Sequence, residues 1–356
     1  MDSRESLPHI PNLVLVTGAA GFLGGRVVDN LLERGIARIR CLVRPTGNWT
    51  RLRHTIEKHD AGSKVELISG NLLSRDDCSR LVHEADIIYH LAAGTGLKAF
   101  SEAYLNSVVT TRNLLDAALE NDALRRFVNV SSFAVYTNRN KPMRCVLDES
   151  CPVEEDPNSR SEAYCFAKVK QDELVIEYGT KRNLPYVILR PGNIYGPGKK
   201  SIPGRVGIDS FGLYLHLGGS NPLPLTYVDN CAEAIVLAGL VPGIEGEVFN
   251  IVDDNLPSSR RYLRLYKKNV KRFRSIYVPH ALSYLFCWIW EICSKRSKGQ
   301  LPPVFTRREW WATWKRTKYS NKKIKTRIGW TPRISTNEGL KHFFESLRSI
   351  SNSDCP

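Results

Sequence analysis

A tyrosine and a lysine four residues apart are the side chains in this sequence best suited to acid–base chemistry. Tyr164 and Lys168 fall within residues 161–181, a stretch that predicts a long helix. Residues at i and i+4 share one face of a helix, so the phenol and the ammonium are expected to lie side by side. A buried ammonium favours the phenolate and lowers the phenol pKa, which would make Tyr164 a general acid or base near neutral pH. The pair alone is weak evidence, because this spacing is common in helices by chance.

Two serines that follow a predicted strand give the pair a context. The strand covers residues 127–130, and Ser131 and Ser132 come directly after it. Ligands of open α/β sheets gather at the carboxyl ends of the strands. We therefore expect Ser132 to donate a hydrogen bond to a substrate oxygen and to hold that oxygen against Tyr164. Ser131 is expected on the cofactor side.

A glycine pattern near the amino terminus predicts a site for a dinucleotide. A short apolar run, residues 13–16, passes through Gly18, Gly21 and Gly24 into a helical stretch. The first glycine permits a tight turn, the second lets the backbone approach a pyrophosphate, and the third allows the helix to pack closely on the sheet. The helix amino terminus adds amide hydrogens and a positive dipole end. Other residues expected to contact the cofactor, here and after later strands, are Phe22, Leu23, Leu72, Ala92, Ala93 and Gly94.

The end of the second predicted strand, residues 39–43, bears on the kind of dinucleotide. Arg44 follows it, and no carboxylate occurs before Glu57. A carboxylate at this place accepts from the ribose 2′-hydroxyl of NAD, whereas an arginine pairs with the 2′-phosphate of NADP. NADP(H) is therefore favoured over NAD(H). Arg51 either supplies a second cation or is a solvated loop residue, and the side chain of Asn71 is expected to meet the adenine.

Strands alternate with helices over the first half of the chain. Short β-rich runs occur at residues 13–16, 39–43, 65–68, 86–91, 127–130 and 186–189, with helical stretches between them, including residues 106–120. This alternation predicts a parallel sheet covered on both faces. After residue 190 it gives way to Gly- and Pro-rich segments and a helix at residues 230–240. We therefore predict an α/β fold: a doubly wound Rossmann sheet over residues 12–190 and a smaller substrate-binding lobe over residues 191–356, with segments that cross back to the sheet.

Together these motifs resemble the extended short-chain dehydrogenase/reductases. That group includes nucleotide-sugar epimerases and dehydratases, 3β-hydroxysteroid dehydrogenases and dihydroflavonol reductases. The resemblance spans residues 12–255 and takes in residues 190–198, Arg-Pro-Gly-Asn-Ile-Tyr-Gly-Pro-Gly. It implies that Tyr164 is the general acid/base, that Lys168 holds the nicotinamide ribose and tunes Tyr164, and that Ser132 orients the reacting oxygen.

The same resemblance implies roles for further residues. Asn106 matches an asparagine that supports the site, and Arg44 resembles the NADP-selecting arginine of the dihydroflavonol reductase branch. Residues implied to line the nicotinamide are Pro191, Asn193 and Ile194. Homodimers are common in this family, so a homodimer is expected.

One departure from the nucleotide-sugar pattern bears on the substrate. Nucleotide-sugar enzymes of this family usually carry Arg-Asp-Phe ahead of a segment like Tyr-Val-Asp-Asn, residues 227–230, and the arginine pairs with the substrate diphosphate. Here residues 223–225 read Leu-Pro-Leu, closer to the hydroxysteroid dehydrogenase-like branch. A buried diphosphate without its arginine is poorly compensated. Basic residues that could replace the arginine are Lys199, Lys200 and Arg205.

Three functions are weighed on these grounds. The favoured one is an NAD(P)-dependent oxidoreductase that moves hydride to or from a secondary alcohol or ketone of an apolar or lipid-linked substrate, with Tyr164 carrying the proton. The alternative is a nucleotide-sugar epimerase or dehydratase that keeps a tightly bound cofactor. A non-enzymatic NADP-binding regulator is disfavoured by the intact Tyr164, Lys168 and Ser132.

The positive charge of the chain is concentrated in its carboxyl-terminal part. The 356 residues carry 51 Lys and Arg against 36 Asp and Glu, and residues 256–333 hold 21 of the former against two of the latter. Residues 276–293 are mostly apolar and aromatic, with basic residues at both ends. They predict either a helix in a membrane interface, with its flanks on anionic head groups, or a core or dimer helix under a basic surface. The tryptophans of this basic region are not expected to bind nucleic acid, because the sequence contains no recognisable nucleic-acid-binding module beside them.

Cysteine spacing and the amino terminus bear on metal binding and compartment. Nine cysteines include no Cys-x-x-Cys pair, which suggests neither a zinc ribbon nor a disulfide framework, and no metal is expected. The first eleven residues are polar and lack the apolar stretch of a signal peptide. The cytoplasm, or the inner face of a membrane, is the expected location.

Overall fold

A seven-stranded parallel sheet forms the centre of the molecule. A computed structural model describes residues 11–94, 99–160, 162–210, 212–298, 300–301 and 305–353. The strands are β1 (Val14–Thr17), β2 (Ile39–Val43), β3 (Val65–Ser69), β4 (Ile87–His90), β5 (Arg126–Val130), β6 (Cys145–Leu147), β7 (Tyr186–Pro191), β8 (Asn193–Tyr195), β9 (Gly207–Ser210), β10 (Leu213–His216), β11 (Leu225–Tyr227), β12 (Val248–Ile251), β13 (Ser275–Tyr277) and β14 (Thr317–Tyr319). The helices are α1 (Gly24–Glu33), α2 (Thr50–Lys58), α3 (Arg75–Val82), α4 (Phe100–Ala103), α5 (Thr110–Leu119), α6 (Ala163–Arg182), α7 (Val228–Leu240), α8 (Ser259–Asn269), α9 (His280–Arg296), α10 (Arg307–Thr313), α11 (Lys322–Ile328) and α12 (Thr336–Ser353).

The strand order identifies the fold. The central sheet runs β3-β2-β1-β4-β5-β7-β12, and each neighbouring pair is parallel. The order reverses between β1 and β4, which is the switch point where doubly wound sheets bind ligands at the carboxyl ends of their strands. The predicted α/β Rossmann fold is confirmed.

Strand residues alternate between two apolar layers. Val14 and Val16 of β1 face the layer that α1 and α7 cover, whereas Leu15 faces the layer that α3, α5 and α6 cover. This alternation follows from the two-residue period of a strand. Both faces are buried, which is why the strands read as continuous apolar runs.

The second half of the chain both completes the sheet and builds a smaller lobe. β12 adds an edge strand beside β7, and α7 packs against α1. The lobe holds the small sheet β9-β10-β13 and the pair β8-β11. A Cβ at Gly192 would lie 2.2 Å from the carbonyl oxygen of Pro224, so the lobe approaches β7 closely. The division of the chain at residue 190 stays a prediction.

The basic carboxyl-terminal region forms helices at the surface of this lobe. α9 covers most of the apolar stretch that the sequence singles out. Within the described part of the chain, no helix combines the length and the apolar character that crossing a bilayer requires.

Candidate active site

One cavity gathers nearly all of the predicted site residues. It measures about 920 Å³ and lies at the carboxyl ends of the central strands, around the switch point. Eighteen of the twenty predicted site residues line it: Gly18, Gly21, Phe22, Leu23, Gly24, Arg44, Asn71, Leu72, Ala92, Ala93, Asn106, Ser131, Ser132, Tyr164, Lys168, Pro191, Asn193 and Ile194. Their roles stay predictions, and the local geometry shows what each can do.

The glycine turn between β1 and α1 leaves no room for side chains. Gly18 has φ +72°, and a Cβ there would lie 2.9 Å from the backbone nitrogen of Ala92. A Cβ at Gly24 would lie 2.1 Å from the carbonyl oxygen of Gly18, so only glycine lets α1 start this close to the strand. The turn therefore offers bare backbone and a helix amino terminus to the cavity, which fits the pyrophosphate of a dinucleotide.

Tyr164 and Ser132 form the reactive pair at the other side of the cavity. Tyr164 lies in the first turn of α6 and is half-buried. Ser132 precedes a short 3₁₀ turn, accepts a hydrogen bond from the Ala134 amide at 3.1 Å, and is hydrogen-bonded to Tyr164. Burial raises the pKa of Tyr164 to about 12, and the hydrogen bond with Ser132 lowers it in part. The phenol is therefore protonated at neutral pH in this state.

Lys168 is turned toward the sheet. Its Nζ donates to the carbonyl oxygen of Val130 at 2.6 Å and to Oε1 of Gln171 at 2.8 Å. Burial lowers the pKa of Lys168 to about 8, and the carboxylate of Asp172 opposes this. The expected lowering of the Tyr164 pKa by Lys168 is absent here, because burial of the phenol dominates and the ammonium is engaged with β5.

A buried hydrogen-bond network connects Lys168 to the glycine turn. His90 contacts the hydroxyl of Thr17 through Nδ1 and the hydroxyl of Thr111 through Nε2, both at 2.8 Å. Gln171 donates to the same Thr111 oxygen at 2.8 Å while accepting from Lys168. Thr111 donates its single hydroxyl proton to the carbonyl oxygen of Ser107. Its oxygen must therefore accept a hydrogen bond from Nε2 of His90, so the neutral imidazole carries its proton on Nε2. Burial and the nearby ammonium lower the pKa of His90 to about 3.

A buried ion pair lies beneath the serines. Nε of Arg190 donates to Asp172 at 3.1 Å, and both side chains are at most 4% exposed. Asn129 donates to the other carboxylate oxygen at 3.2 Å, and the guanidinium stacks 4.8 Å from the ring centre of Tyr136. Burial raises the pKa of Asp172 and Arg190 lowers it. Residues of β5, α6 and β7 are thereby fixed relative to each other.

Asn106 reaches the cavity from an irregular turn. It lies in a π-helical segment, Tyr104–Val109, between α4 and α5, and its Nδ2 donates to the carbonyl of Glu102 at 2.9 Å. π-Helical turns are frequent at functional sites. Thr110, one turn further on, lines the cavity with a buried hydroxyl that has no partner among the described residues. An unpaired buried hydroxyl at this wall is consistent with a ligand that supplies the partner.

The far end of the cavity carries an exposed cation. Arg44 follows β2 with its side chain exposed. Asn71 accepts from the amide of Leu73 at 3.0 Å through its side-chain oxygen, and its own amide donates to Asp77 at 2.8 Å. The cations that line the cavity are Arg44, Lys168 and Lys199, and no described lining residue is a carboxylate. The cavity therefore suits an anionic ligand.

Comparison with known proteins agrees with this geometry. The model of the NAD dependent epimerase/dehydratase family matches residues 14–251. The chain belongs to that family. The resemblance to the extended short-chain dehydrogenase/reductases is thereby confirmed, and the protein is an NAD-dependent enzyme of that type.

Relatives of this family member span almost its whole length. It is 23% identical to a UDP-N-acetyl-α-D-glucosaminuronate decarboxylase of Bacillus cytotoxicus, over 95% of this chain and 98% of the relative. It is also 23% identical to an Arabidopsis thaliana 3β-hydroxysteroid-dehydrogenase/decarboxylase, over 96% of this chain and 81% of the relative. The crystal structure of UDP-glucuronic acid 4-epimerase from Bacillus cereus in complex with NAD superimposes with a TM-score of 0.71 at 22% identity, over 95% of this chain and 99% of that one. The structural likeness shows the fold.

Two predicted cofactor residues of this family member lie outside the cavity wall. Arg51, on α2, is exposed, and its Nη2 approaches the carbonyl oxygen of Gly198 at 3.5 Å. Gly94 is buried, and its amide donates to the hydroxyl of Ser107 at 3.0 Å. The first therefore links α2 to the loop after β8, and the second fixes the π-helical segment.

Sequence reasoning missed the residues at the lobe end of the cavity. Tyr262, on α8, lines it with a fully buried ring, and its hydroxyl has no hydrogen-bond partner in the described part of the chain. Ser201 and Pro203 line the same end. No motif indicates them, because packing of α8 against α12 brings Tyr262 there.

Of the three basic residues proposed to replace the missing arginine, one lines the cavity. The Lys199 ammonium lies 5.6 Å from the ring centre of Phe22, at the glycine turn. Arg205 instead donates to the carbonyls of Ala312 and Thr313, at 2.9 and 3.2 Å. Leu223 is 1% exposed within an apolar cluster and is not part of the cavity lining.

Proposed function

We propose that the protein is a nucleotide-sugar epimerase or dehydratase that acts at a secondary alcohol of the sugar. The observation that carries the proposal is the charge of the cavity, whose described lining holds the Ser132–Tyr164 pair, the cations Arg44, Lys168 and Lys199, and no carboxylate. Two diphosphates, one from the cofactor and one from the substrate, need such compensation. Support also comes from the UDP-sugar relative and the UDP-sugar epimerase structure, which match nearly the whole chain.

This proposal replaces the apolar substrate that the sequence favoured. That expectation rested on the apolar segment at residues 276–293 and on Leu223, which occupies the usual place of the diphosphate-binding arginine. Because Leu223 is buried in the lobe core, its apolar character does not line the cavity. Lys199, which lines the cavity beside Phe22, is the residue proposed to provide the positive charge that the missing arginine would have given.

The reacting hydroxyl would bind between Ser132 and Tyr164. Ser132 would orient its oxygen. Tyr164, once deprotonated, would accept the alcohol proton as the hydride leaves and would return it when the carbonyl is reduced. The glycine turn would hold the pyrophosphate of the dinucleotide, Lys168 and Pro191 would contact its nicotinamide ribose and ring, and the bound cofactor would supply the hydride acceptor. The Asp172–Arg190 pair fixes the helix that carries Tyr164 and Lys168.

We further propose that the dinucleotide site accepts the 2′-phosphate of NADP. Arg44 stands exposed at the end of β2, and no carboxylate among the described lining residues would repel a phosphate there. The structural neighbour holds NAD. A preference for NADP would thus be a property of this chain's own Arg44.

A second candidate is a hydroxysteroid-type dehydrogenase acting on an apolar alcohol. The rings of Tyr195 and Tyr262 with Pro203 give the lobe end of the cavity apolar surface. The Arabidopsis 3β-hydroxysteroid-dehydrogenase/decarboxylase aligns with 96% of the chain. In that case the cofactor would be consumed in stoichiometry with product.

The two candidates are separated by what happens to the cofactor. The purified full chain is first analysed by native and denaturing mass spectrometry for retained NAD(H) or NADP(H). It is then incubated without added cofactor with UDP-glucose, UDP-glucuronate, UDP-N-acetylglucosamine and dTDP-glucose, and products are followed by liquid chromatography with mass spectrometry. Many turnovers per bound cofactor support the nucleotide-sugar proposal. Product only with added NAD(P) and a hydroxysteroid overturns it in favour of the second candidate.

Matched tyrosine variants on one helix control for structure. Tyr164→Phe should abolish product formation, whereas Tyr178→Phe, which removes a hydroxyl that bonds Asp116 outside the cavity, should not. Unaffected biological function of the Tyr164→Phe variant would instead favour a non-enzymatic NADP-binding protein. The cytoplasmic location and the homodimer stay predictions of the sequence, and membrane contact through residues 276–293 is a separate proposal that depends on surface residues.

A further inference from the structure

Helix α9 presents its large apolar side chains to solvent. Leu282, Leu285, Phe286 and Ile289 follow the i, i+3, i+4, i+7 spacing of an apolar stripe, yet each is 46–57% exposed. Trp288 beside them is 42% exposed. On the neighbouring strand β13, Ile276 and Tyr277 are 54% and 43% exposed. These seven residues are named the α9 face.

The opposite side of the helix packs on the lobe with small and aromatic residues. Its buried residues are Ser283, Cys287 and Ser294, and the partly buried ring of Tyr284 lies 5.1 Å from that of Trp310. Ser283 accepts a hydrogen bond from the indole nitrogen of Trp310 at 2.9 Å, which docks the helix on α10. The helix is therefore anchored by one side, while its stripe of large aliphatic residues stays in solvent.

Cations flank the α9 face at both ends. Lys271, Arg272 and Arg274 precede it, Lys295, Arg296 and Lys298 follow it, and all six are exposed. Glu291 is neutralised by Arg307 at 2.9 Å and Lys295 at 3.3 Å. For the other five of the six cations, the described part of the chain provides no ion pair. Between His280 and Glu291 the sequence has no charged residue.

The distribution of charge favours an anionic partner over a second copy of the chain. A symmetric contact would place the α9 face against itself. Because both ends of the helix are basic, either a parallel or an antiparallel arrangement brings cations against cations. An anionic surface instead pairs with both ends at once.

The shape of the face favours a lipid surface. The helix is about 25 Å long at ~1.5 Å per residue. Its exposed face consists of aliphatic and aromatic side chains, and the polar groups on it are the Trp288 indole N–H and the Tyr277 hydroxyl, which suit the head-group level of a bilayer. A helix with an apolar face and basic flanks suits the plane of an anionic bilayer interface, where it needs no complementary groove. The wide exposed patch also exceeds the scattered single residues that need no explanation.

We propose that the α9 face docks the protein on an anionic membrane surface. Leu282, Leu285, Phe286 and Ile289 enter the boundary between head groups and acyl chains. The basic clusters at residues 271–274 and 295–298 contact the anionic head groups. The proposal is independent of the reaction in the cavity, and the helix lies in the membrane plane without crossing it.

Vesicle co-sedimentation of the purified full chain tests the proposal. Phosphatidylcholine vesicles with and without phosphatidylserine are compared at low and high salt. The wild type should bind the phosphatidylserine vesicles, bind pure phosphatidylcholine at least tenfold more weakly, and lose affinity as salt rises. The double variant L285E/I289E should bind phosphatidylserine vesicles at least about tenfold more weakly, because two buried aliphatic contacts are lost and two anions are added.

Matched variants separate the α9 face from general charge and hydrophobicity. R272Q/R274Q should weaken binding, whereas R38Q/K64Q, which removes the same charge from exposed positions of the Rossmann part, should leave it nearly unchanged. M143E/V146E alters equally exposed apolar residues elsewhere and should also bind like the wild type. Retained cofactor binding and an unchanged unfolding curve show that each variant is folded.

Quenching of tryptophan fluorescence tests the proposal without changing any charge. Brominated phosphatidylserine vesicles should quench a part of the tryptophan fluorescence that the Trp288→Phe variant lacks. The proposal is overturned if the wild type ignores phosphatidylserine vesicles at low salt, or binds neutral vesicles equally well. It is also overturned if light scattering shows a lipid-free dimer that L285E/I289E converts to monomer, since a second copy would then cover the face.

Discussion

The surroundings of Lys168 and the α9 face both break the usual rule of apolar residues inside and charges outside, in opposite senses. Around Lys168 the buried charges are compensated by the chain itself, by the carbonyl of Val130 and by the Asp172–Arg190 pair. On the α9 face, Phe286 packs on Trp290 and Phe305, yet Leu282, Leu285, Trp288 and Ile289 stay 42–57% exposed. The buried charges around Lys168 are already paired, so this region needs only its small ligands. The exposed apolar side chains of the α9 face are instead expected to be covered by a larger partner.

The largest effect is expected at the reactive pair beside the buried network. Tyr164→Phe keeps the ring that packs in the cavity wall but removes the proton that the reaction moves. We expect kcat to fall by about 10²–10⁴-fold, the range for loss of a general acid–base group, with cofactor affinity within about twofold. Turnover of the substrate found above and dinucleotide titration measure the two effects. A variant that keeps more than a tenth of the activity would place the proton transfer elsewhere.

The next largest effect is expected on the free energy of unfolding, at the buried Asp172–Arg190 ion pair. Arg190→Met leaves the Asp172 carboxylate buried without its cation, which costs about 3–5 kcal/mol of unfolding free energy. Lys181→Met breaks a pair with Glu177 on the same helix, but both partners are more than half exposed, so a loss below about 0.5 kcal/mol is expected. Urea unfolding measures both. Equal losses would mean that burial does not distinguish the two pairs.

The neutral state of His90 predicts a pH dependence of stability. Its pKa is about 3 in the folded chain, against a usual 6.5. As the pH falls below about 6.5 the unfolded chain takes up a proton that the folded chain refuses, so the wild type loses up to ~1.4 kcal/mol per pH unit relative to a variant without this group. The stability gap between the wild type and His90→Gln should therefore narrow from pH 7 to about pH 4. His54→Gln, at an exposed histidine, should show no such change, and a gap that stays constant with pH would contradict the prediction.

A smaller effect is expected at the exposed end of the cavity. Arg44→Asp replaces the cation after β2 by the carboxylate that accepts from a ribose 2′-hydroxyl. The ratio of NADP(H) to NAD(H) affinity should fall about tenfold or more, which corresponds to ~1.4 kcal/mol. Arg51→Asp, at the neighbouring exposed arginine outside the cavity wall, is the matched control. Fluorescence titration with both reduced cofactors measures the ratio, and an unchanged ratio would remove Arg44 from cofactor selection.

The sequence predicted the parts of the site that local patterns determine. β2 occupies the predicted residues 39–43, and the glycine turn lies where the motif placed it, because backbone sterics dictate both. The helix expected at residues 106–120 instead begins regular winding at Thr110, after a π-helical segment. The 3.6-residue period of an α-helix cannot predict a π-helical turn, which holds one more residue. This wider turn nevertheless brings Asn106 to the cavity.

Long-range packing decides what the sequence could not predict. The orientation of Lys168 depends on the carbonyl of Val130, which the spacing from Tyr164 does not reveal. Leu223, in the place of a diphosphate-binding arginine, favoured an apolar substrate in the sequence, yet folding of the lobe buries it in an apolar cluster away from the cavity lining. Tyr262 reaches the cavity only because α8, which carries it, packs against α12. The apolar, aromatic stretch at residues 276–293 and its basic flanks were evident in the sequence, but which side of the helix faces solvent was not.

The smallest effect completes the comparison, because it measures what the α9 face contributes to the fold. Leu285→Ala should lower the free energy of unfolding by about 1 kcal/mol at most, since the residue is 46% exposed and only about half of its apolar surface leaves water on folding. Leu114→Ala, the same deletion at a fully buried position of α5, should cost about 2–5 kcal/mol. Urea unfolding without lipid measures both. A large loss at Leu285 would show that this side chain supports the fold. A negligible loss, combined with weakened binding to phosphatidylserine vesicles, would show that its apolar surface acts only in contact with a membrane.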